Sequence, residues 1–265
     1  MISRGCYISK RFFGIVNKDA QKKRVWVETK NYRISNPMWG DKDPEKITIE
    51  HHQPKGVRDW VAYGLLNSII RMFDVLSGFQ PNNMTEKKWG RHFLFMESIS
   101  GVPRVIASFV RHLKAIFYKQ HDSGAYHHLI QEEENERMHL FLWLTITNAG
   151  IFVKTSIALY QVFFAFFFGT MYTLSPRVGH RFLGYLEENI IRSYTLLIRD
   201  LEEGKLPNWK TMREPKILFE YYELPEDKVF RDLILEVRAD EVLHREVNHL
   251  MAEVPMKEEV EDKKK

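Results

Sequence analysis

Two short motifs of the form Glu-x-x-His place metal-ligand side chains about one helical turn apart. Glu136 and His139 form the first motif in "NERMH", and Glu241 and His244 form the second in "RADEVLH". Because residues three apart lie on one face of an α-helix, each motif can direct a carboxylate and an imidazole toward one point. A single motif is a weak signal, since charged helices contain this spacing by chance. Its repetition favours one shared metal site.

A third pair with this spacing, Glu246 and His249, overlaps the second motif. It is rotated by about 140° around the helix from Glu241. The two pairs cannot both face one core, so we predict that Glu246 and His249 lie at the surface.

Two isolated glutamates complete the ligand set of a carboxylate-bridged dimetal site, in which two helices supply one Glu each and two supply Glu-x-x-His. Glu97 is the only acid in the apolar stretch "FLFMESISGVP", and a lone buried carboxylate is costly unless it is paired or binds metal. In "GYLEENII" the apolar pattern turns Glu187 rather than Glu188 inward. Four carboxylates and two imidazoles suit a pair of iron ions.

Other polar residues lie at positions from which they could support this site. Tyr194 lies two turns after Glu187, where a phenol could donate an electron or a proton, although it could equally be a core tyrosine with a satisfied hydroxyl. Asn135 and Asp240 directly precede the two motifs and could orient the imidazoles, or they could be ordinary surface residues. His180 lies two turns before Glu187 and shares that face less closely.

The segments that carry these residues have helical periodicity without strand alternation, so the chain is predicted to be all-α. The triplet Gly101-Val102-Pro103 predicts a kink rather than a helix end. Residues 205–228 contain three prolines and are predicted to be irregular. The predicted helical segments are residues 59–79, about 86–118, about 125–149, 155–176, 177–204 and 228–254.

The longest apolar run, Thr155–Pro176, has no charged residue and is long enough to span a bilayer. Glu97 and Glu136 precede this run, whereas Glu187 and Glu241 follow it. A single crossing would separate the two halves of the metal site, so the site excludes it. The run would instead lie in one leaflet, or pack against the bundle as the long crossover of a ferritin-like fold does.

Two further segments favour attachment to one leaflet. Residues 59–79 are apolar and aromatic, and the segment around 104–119 carries basic residues among apolar ones, as suits anionic headgroups. The alternative for each segment is core packing or a dimer contact. The basic residues are Arg104, Arg111, Lys114 and Lys119.

The composition bounds the remaining possibilities. The 265-residue chain is 44% hydrophobic and 28% charged, as is typical of globular proteins, and a net charge of +4 requires no nucleic-acid partner. The single cysteine, Cys6, excludes an intrachain disulfide.

Residues 1–24 contain seven basic residues and one acid, which predicts a mitochondrial-type targeting segment or a disordered basic arm. We divide the remainder into an arm at 25–57, a helical bundle at 58–252 and a charged tail at 253–265.

The motifs "FMESISGVP", "NERMH", "GYLEEN" and "RADEVLH", in this order, resemble those of the alternative oxidases, the di-iron ubiquinol oxidases of mitochondria and related organelles. The resemblance covers roughly residues 50–252. It implies a ferritin-like four-helix bundle with membrane-surface helices, in a monotopic homodimer facing the matrix at the inner membrane. It also implies ubiquinol oxidation coupled to reduction of O₂ to water without proton pumping. The implied ligands of two iron ions (Fe²⁺/Fe³⁺) are Glu97, Glu136, His139, Glu187, Glu241 and His244.

The resemblance also extends to residues around the metal. Tyr194 matches an essential tyrosine of the family, and Tyr221 matches another recurrent aromatic residue. The quinol pocket implied by the resemblance is lined by Arg91 or His92 together with Met96, Ile190 and Ser193.

Several residues in this chain depart from the family pattern. Met96 and Ser98 flank the first Glu where Leu and Thr are usual. His92 stands where the family has Arg, although Arg91 is adjacent, and Tyr222 stands where Trp is common. Asn189 and Ile190 replace the usual Glu and Ala. These departures affect the expected quinol pocket more than the metal ligands.

Two other functions remain open from the sequence. One is a soluble ferritin-like di-iron oxygenase, which would need no long exposed apolar run. The other is a non-catalytic iron-binding helical membrane protein, which would need no tyrosine on the metal face.

Overall fold

The computed structural model describes residues 44–119 and 124–253. All regular secondary structure within these ranges is helical. This confirms the all-α prediction. The predicted targeting segment, the first part of the arm and nearly all of the charged tail lie outside the described residues. After a 3₁₀ turn at Pro44–Lys46, the helices are α1 (Val57–Ser77), α2 (Glu86–Tyr118), α3 (Ala125–Ile146), α4 (Ile151–Leu174), α5 (Pro176–Glu202), α6 (Lys216–Tyr221) and α7 (Phe230–Glu253).

Local sequence signals set several helix ends. The Thr85 side chain accepts from the backbone N–H of Lys88 at the start of α2, and Ser175 caps α5 ahead of Pro176 at the first turn. Gly78 ends α1 in the left-handed region with φ 70°. Pro103 lies inside α2 without ending it. The irregular stretch 205–228 is interrupted only by the short helix α6.

Four long helices, α2, α3, α5 and α7, carry the predicted ligands and pack in pairs. One pair is α2 and α3, and the other is α5 and α7. The two pairs meet where α2 contacts α5 and where α3 contacts α7. Aromatic rings fill the core between these pairs: the Phe93 ring is 4.5 Å from that of Trp143 and 4.2 Å from that of Tyr194. This apolar packing holds the acidic faces of the four helices together in a dry interior.

Helices α1 and α4 lie outside this bundle, and each packs against both α2 and α5. α4 buries only the stripe formed by Phe164, Phe168 and Tyr172. On its outward face, Phe163 is 70% exposed and Phe166 is 75% exposed. Both α2 and α4 are long and apolar enough to cross a membrane by length and composition, but the apolar window of α2 is mostly buried in the bundle and that of α4 is not.

The described part of the arm, residues 44–56, is attached to the bundle by polar contacts. His51 Nδ1 lies 2.5 Å from Glu188 Oε2, and the backbone N–H of His52 donates to Glu188 Oε1 at 2.8 Å. Arg231 contacts Glu45 at 2.8 Å. Glu187 faces the core as predicted. Glu188 therefore lies on the other side of α5, where it anchors the arm.

Two surface predictions are wrong. Arg104 and Arg111 do not face headgroups, because both are buried against polar partners inside the fold. They lie seven and fourteen residues after Glu97 and so share its inward face. His249 is half-buried, with Nε2 2.9 Å from Glu188 Oε1, because the α5–α7 contact covers a wider arc of α7 than the metal face alone.

Candidate metal centre

All six predicted ligands converge between the four long helices, and all are buried. Their side-chain donor atoms form two overlapping groups, and within each group these atoms lie within 4.8 Å of one another. Glu136 and Glu241 belong to both groups, as bridging carboxylates between two metal ions would. The first group is Glu97, Glu136, His139 and Glu241, and the second is Glu136, Glu187, Glu241 and His244.

The two histidines lie at opposite ends of this cluster, with their ring centroids 6.2 Å apart. His139 Nδ1 is 2.9 Å from Glu241 Oε1. His244 Nδ1 is 2.7 Å from Glu136 Oε1 and 3.2 Å from Glu241 Oε2. Each imidazole therefore directs Nδ1 toward the bridging carboxylates, and each could be the terminal ligand of one metal ion.

The electrostatics of the cluster favour a bound cation. Burial raises the pKa of Glu97 to about 8; His139 opposes this rise and the neighbouring Glu136 contributes to it. Burial also raises the pKa of Glu241 well above its usual range, with the charges of Glu136 and Glu187 adding to the effect. Several carboxylates cannot all ionise in so small and dry a volume without compensating charge. Two divalent cations would supply this charge, and a set of carboxylate and imidazole donors fits iron.

A buried arginine supplies part of the compensating charge. The Arg104 guanidinium lies 2.6 Å from Glu187 Oε1, 3.0 Å from Glu136 Oε1 and 3.0 Å from Glu132 Oε2. It also donates to the carbonyl oxygen of Ser100 at 2.5 Å. Burial opposes ionisation of Glu136, but Arg104 together with His244 and His139 outweighs this effect and lowers the pKa of that carboxyl. Sequence reasoning missed Arg104 and Glu132 here, although Arg104 lies two turns after Glu97.

Tyr194 lies directly beside the first ligand. Its hydroxyl donates to Glu97 Oε1 at 2.5 Å and accepts from the indole N–H of Trp143 at 2.9 Å. Burial and the Glu97 carboxylate raise the pKa of Tyr194 well above its usual value, so the phenol stays protonated. The structure therefore places a neutral phenol O–H against a ligand of the candidate metal centre.

Asn135 and Asp240 meet each other behind the first group of ligands. Asn135 Nδ2 donates to Asp240 Oδ2 at 2.7 Å and to the Tyr221 hydroxyl at 3.2 Å. The Tyr222 hydroxyl donates to the same Asp240 oxygen at 2.9 Å and lies 3.0 Å from His139 Nε2. Asn135 is fully buried and Asp240 nearly so, which rules out the surface alternative for both.

His180 lies further from the ligands than its spacing suggests. Its Nδ1 contacts Asn248 Oδ1 at 3.1 Å, and its Nε2 lies 2.9 Å from the Tyr172 hydroxyl. Asn248 in turn donates to Glu132 Oε2 at 3.0 Å. Burial, reinforced by the charge of Arg111, lowers the pKa of His180 to about 3. His180 is thus a neutral, buried residue linked to the centre through Asn248, which contacts both Glu132 and the His244 carbonyl oxygen.

The residues expected to line a quinol pocket divide into two groups. His92 Nε2 lies 3.0 Å from Ser193 Oγ, and this contact joins α2 to α5. Met96 and Ile190 are fully buried on the same two helices. Arg91 is exposed, and the structure does not bring it to the buried pair. Of the two basic candidates, His92 is therefore the one with a contact to another residue of this set.

Comparison with known proteins gives one consistent match. The family model described as "Alternative oxidase" matches residues 39–253. The chain is 38% identical to the mitochondrial alternative oxidase of Emericella nidulans over 229 residues, 82% of this chain and 64% of that protein. It is 38% identical to that of Ajellomyces capsulatus over 232 residues, 82% of this chain and 65% of that protein. It is 34% identical to that of Cryptococcus neoformans over 265 residues, 91% of this chain and 64% of that protein. The chain therefore spans slightly less than two thirds of the length of these relatives.

Proposed function

This chain belongs to the alternative oxidase family, and on that premise we propose that it oxidises ubiquinol and reduces O₂ to water without pumping protons. The observation that supports this proposal most strongly is the convergence of six buried ligands from four helices into two groups that share Glu136 and Glu241. The proposed ligands of the two iron ions (Fe²⁺/Fe³⁺) are Glu97, Glu136, His139, Glu187, Glu241 and His244. When bound, iron would supply the redox chemistry that passes electrons from quinol to O₂.

The proposed role of Tyr194 is to hold a proton at the edge of the centre. Its hydroxyl donates to Glu97 Oε1, and Trp143 fixes the hydroxyl from the other side. Because the phenol is protonated and touches a ligand, it could pass its proton to the Glu97 carboxylate and an electron to the iron that the ligands would hold. The stacked ring of Phe93 excludes water from this contact.

The proposed quinol-binding residues are His92, Met96, Ile190 and Ser193. The His92–Ser193 contact offers a ring nitrogen and a hydroxyl for hydrogen bonds to a quinol, and Met96 and Ile190 offer apolar surface. Because burial lowers the pKa of His92 to about 3, the ring is neutral and can accept a hydrogen bond from a quinol hydroxyl. Arg91 is exposed and is the less well supported candidate.

We also propose a partner and a location for the whole molecule. α4 exposes an almost continuous apolar face, and α1 exposes Trp60, Val75 and Leu76. These surfaces suit attachment to one leaflet of the inner mitochondrial membrane on the matrix side, in a homodimer. The relatives are named as mitochondrial proteins. A soluble oxygenase is less well supported because such a bundle would not expose α4, and a non-catalytic iron protein is less well supported because it would not need Tyr194 against Glu97.

The decisive experiment is quinol-dependent O₂ uptake by membranes that contain the protein, measured in the presence of cyanide. Glu136→Ala or His244→Ala should abolish this uptake because each removes a ligand of the proposed centre. Glu246→Gln is the matched control, since it alters the overlapping Glu-x-x-His motif outside the centre. Unchanged uptake in both ligand variants would rule out the proposed function.

A further inference from the structure

The two proposed terminal histidines differ in what contacts the ring nitrogen that faces away from the metal. Nε2 of His139 lies 3.0 Å from the Tyr222 hydroxyl. Nε2 of His244 is buried and has no hydrogen-bond partner in the part of the chain that the structure describes. An imidazole ligand is normally oriented through this outer nitrogen, so the two ends of the proposed centre are not equivalent.

The direction of the hydrogen bonds around Tyr222 fixes the tautomer of His139. The Tyr222 hydroxyl donates its only proton to Asp240 Oδ2 at 2.9 Å. It can therefore only accept from His139, and His139 Nε2 must carry a proton. When His139 binds metal as a neutral imidazole, the lone pair is therefore on Nδ1, the atom that lies 2.9 Å from Glu241 Oε1.

Asp240 is itself held in place but is too far away to replace Tyr222. Asn135 Nδ2 donates to Asp240 Oδ2 at 2.7 Å, which ties α3 to α7. The same carboxylate oxygen is 3.7 Å from His139 Nε2, beyond hydrogen-bond range. The link between the anchored carboxylate and the imidazole thus runs through the hydroxyl of Tyr222, just after α6.

We propose that Tyr222 is a positioning residue that holds His139 with Nδ1 toward the metal and makes the His139 position the tighter of the two metal positions. This inference rests on the proposed two-iron centre. It predicts that loss of the Tyr222 hydroxyl affects one metal ion and spares the other.

The test is stepwise removal of iron from the loaded full-length protein by a competing chelator, combined with Mössbauer spectra. Wild type should lose its two ions in separate steps and show two distinct iron signals. Tyr222→Phe should weaken the tighter step by roughly 10- to 100-fold, as loss of an outer-shell partner does, and should shift only one signal. Tyr221→Phe is the matched control, because the Tyr221 hydroxyl contacts Asn135 but is not in contact with His139 in the described structure.

Three outcomes separate the inference from its premise. Unchanged binding and spectra in Tyr222→Phe would overturn the role of Tyr222, and an equal change at both ions would overturn the asymmetry. A wild-type protein that binds no iron pair would instead contradict the proposed function. If Tyr222→Phe fails to fold, ¹⁵N-histidine NMR of the Zn²⁺-loaded wild type decides the question: a proton on His139 Nε2 supports the inference, and a proton on Nδ1 refutes it.

Discussion

At the scale of single residues, the Tyr194 hydroxyl has the clearest expected effect on turnover. Tyr194→Phe keeps the ring that stacks on Phe93 but removes the donor to Glu97 Oε1. We expect quinol-dependent O₂ uptake to fall by about 100-fold or more, the range in which a positioned proton donor contributes. Iron content and thermal stability should change little.

A second tyrosine on the same helix provides the control for this prediction. The Tyr185 hydroxyl is buried without a hydrogen-bond partner among the described residues. Tyr185→Phe should therefore leave O₂ uptake near the wild-type rate. If both variants lost O₂ uptake equally, the loss would reflect removal of any buried hydroxyl from α5. The Tyr194 hydroxyl would then have no specific role.

Arg104 supports a different prediction, because its charge offsets part of the negative charge of the ligand carboxylates. Arg104→Met leaves Glu132, Glu136 and Glu187 without their buried cation. Breaking such a pair costs about 3–5 kcal/mol of unfolding free energy. We expect this loss in the iron-free protein and a smaller loss in the iron-loaded protein, since the metal ions supply positive charge at the same carboxylates.

Chemical denaturation of both forms checks the prediction for Arg104. The control is Arg177→Met, which removes a partly exposed guanidinium 3.5 Å from Asp59. Because Arg177 is exposed and Arg181 still lies 3.4 Å from Asp59 in the variant, we expect a loss of about 1 kcal/mol or less. The same loss for Arg104→Met with and without iron would contradict the charge-balancing role.

The spacing of residues predicts the ligands but not the groups that surround them. Two Glu-x-x-His motifs and two lone glutamates can be identified by counting, because helical geometry links spacing to direction. Arg104 could not be assigned in this way, since an arginine among apolar residues fits a headgroup as well as a buried carboxylate. Tyr222 reaches the centre only through tertiary contacts, for which the sequence carries no local signal, whereas Glu132 lies four residues before Glu136 on the same helical face.

At the scale of helices, the close approach of α4 to α5 depends on a glycine. A Cβ at Gly179 would lie 2.5 Å from Cδ2 of Tyr172. The Tyr172 ring cannot easily move, because its hydroxyl contacts both Arg111 and His180. We expect Gly179→Ala to lower the unfolding free energy by about 1–3 kcal/mol, as overpacking of a core does.

An exposed glycine on α1 is the control for the helix contact. No heavy atom outside its own helix backbone lies within 4 Å of a Cβ built at Gly64. Gly64→Ala should therefore raise stability by up to about 1 kcal/mol through helix propensity alone. Thermal melts of the two variants should move in opposite directions, and a neutral Gly179→Ala would show that α4 can shift away from α5.

Helix ends were predictable where a cap or breaker residue marks them. The bounds of α2 match the predicted segment because Thr85 caps its start. The predicted start of α4 at Thr155 is four residues too late. The prediction follows the uncharged run, which begins after Lys154, whereas the helix begins directly after Gly150. The predicted end of α3 at Ala149 is three residues too late, because the stop signal Asn148-Ala149-Gly150 lies beyond the last helical residue, Ile146.

At the scale of the whole molecule, the exposed face of α4 is expected to determine membrane attachment. Phe163→Asp combined with Phe166→Asp places charges on its exposed aromatic surface. An aspartate costs about 2.5–3.5 kcal/mol at the centre of a membrane-embedded helix, an upper bound for a helix in one leaflet. We expect the variant to leave the vesicle-bound fraction in flotation assays while it keeps its iron. Lys210→Glu, exposed in the 205–228 loop, should float with the vesicles as wild type does.

The proposed metal centre would also limit how α4 can lie in a membrane. Its ligands come from α2 and α3 before α4 and from α5 and α7 after it, and they lie within 4.8 Å of one another in each group. A single crossing by α4 would place these halves on opposite sides of the bilayer. Lys154 near the start of α4 and Arg177 just after its end must therefore face the same side.

Single cysteines at these two positions test this topology directly. The natural chain has only Cys6, so Lys154→Cys and Arg177→Cys can each be introduced into a Cys6→Ser background. In sealed vesicles a membrane-impermeant thiol reagent should label both positions or neither, and detergent should make both reactive. Labelling of one position alone would mean that α4 crosses the bilayer, and the six ligands could not then form one centre.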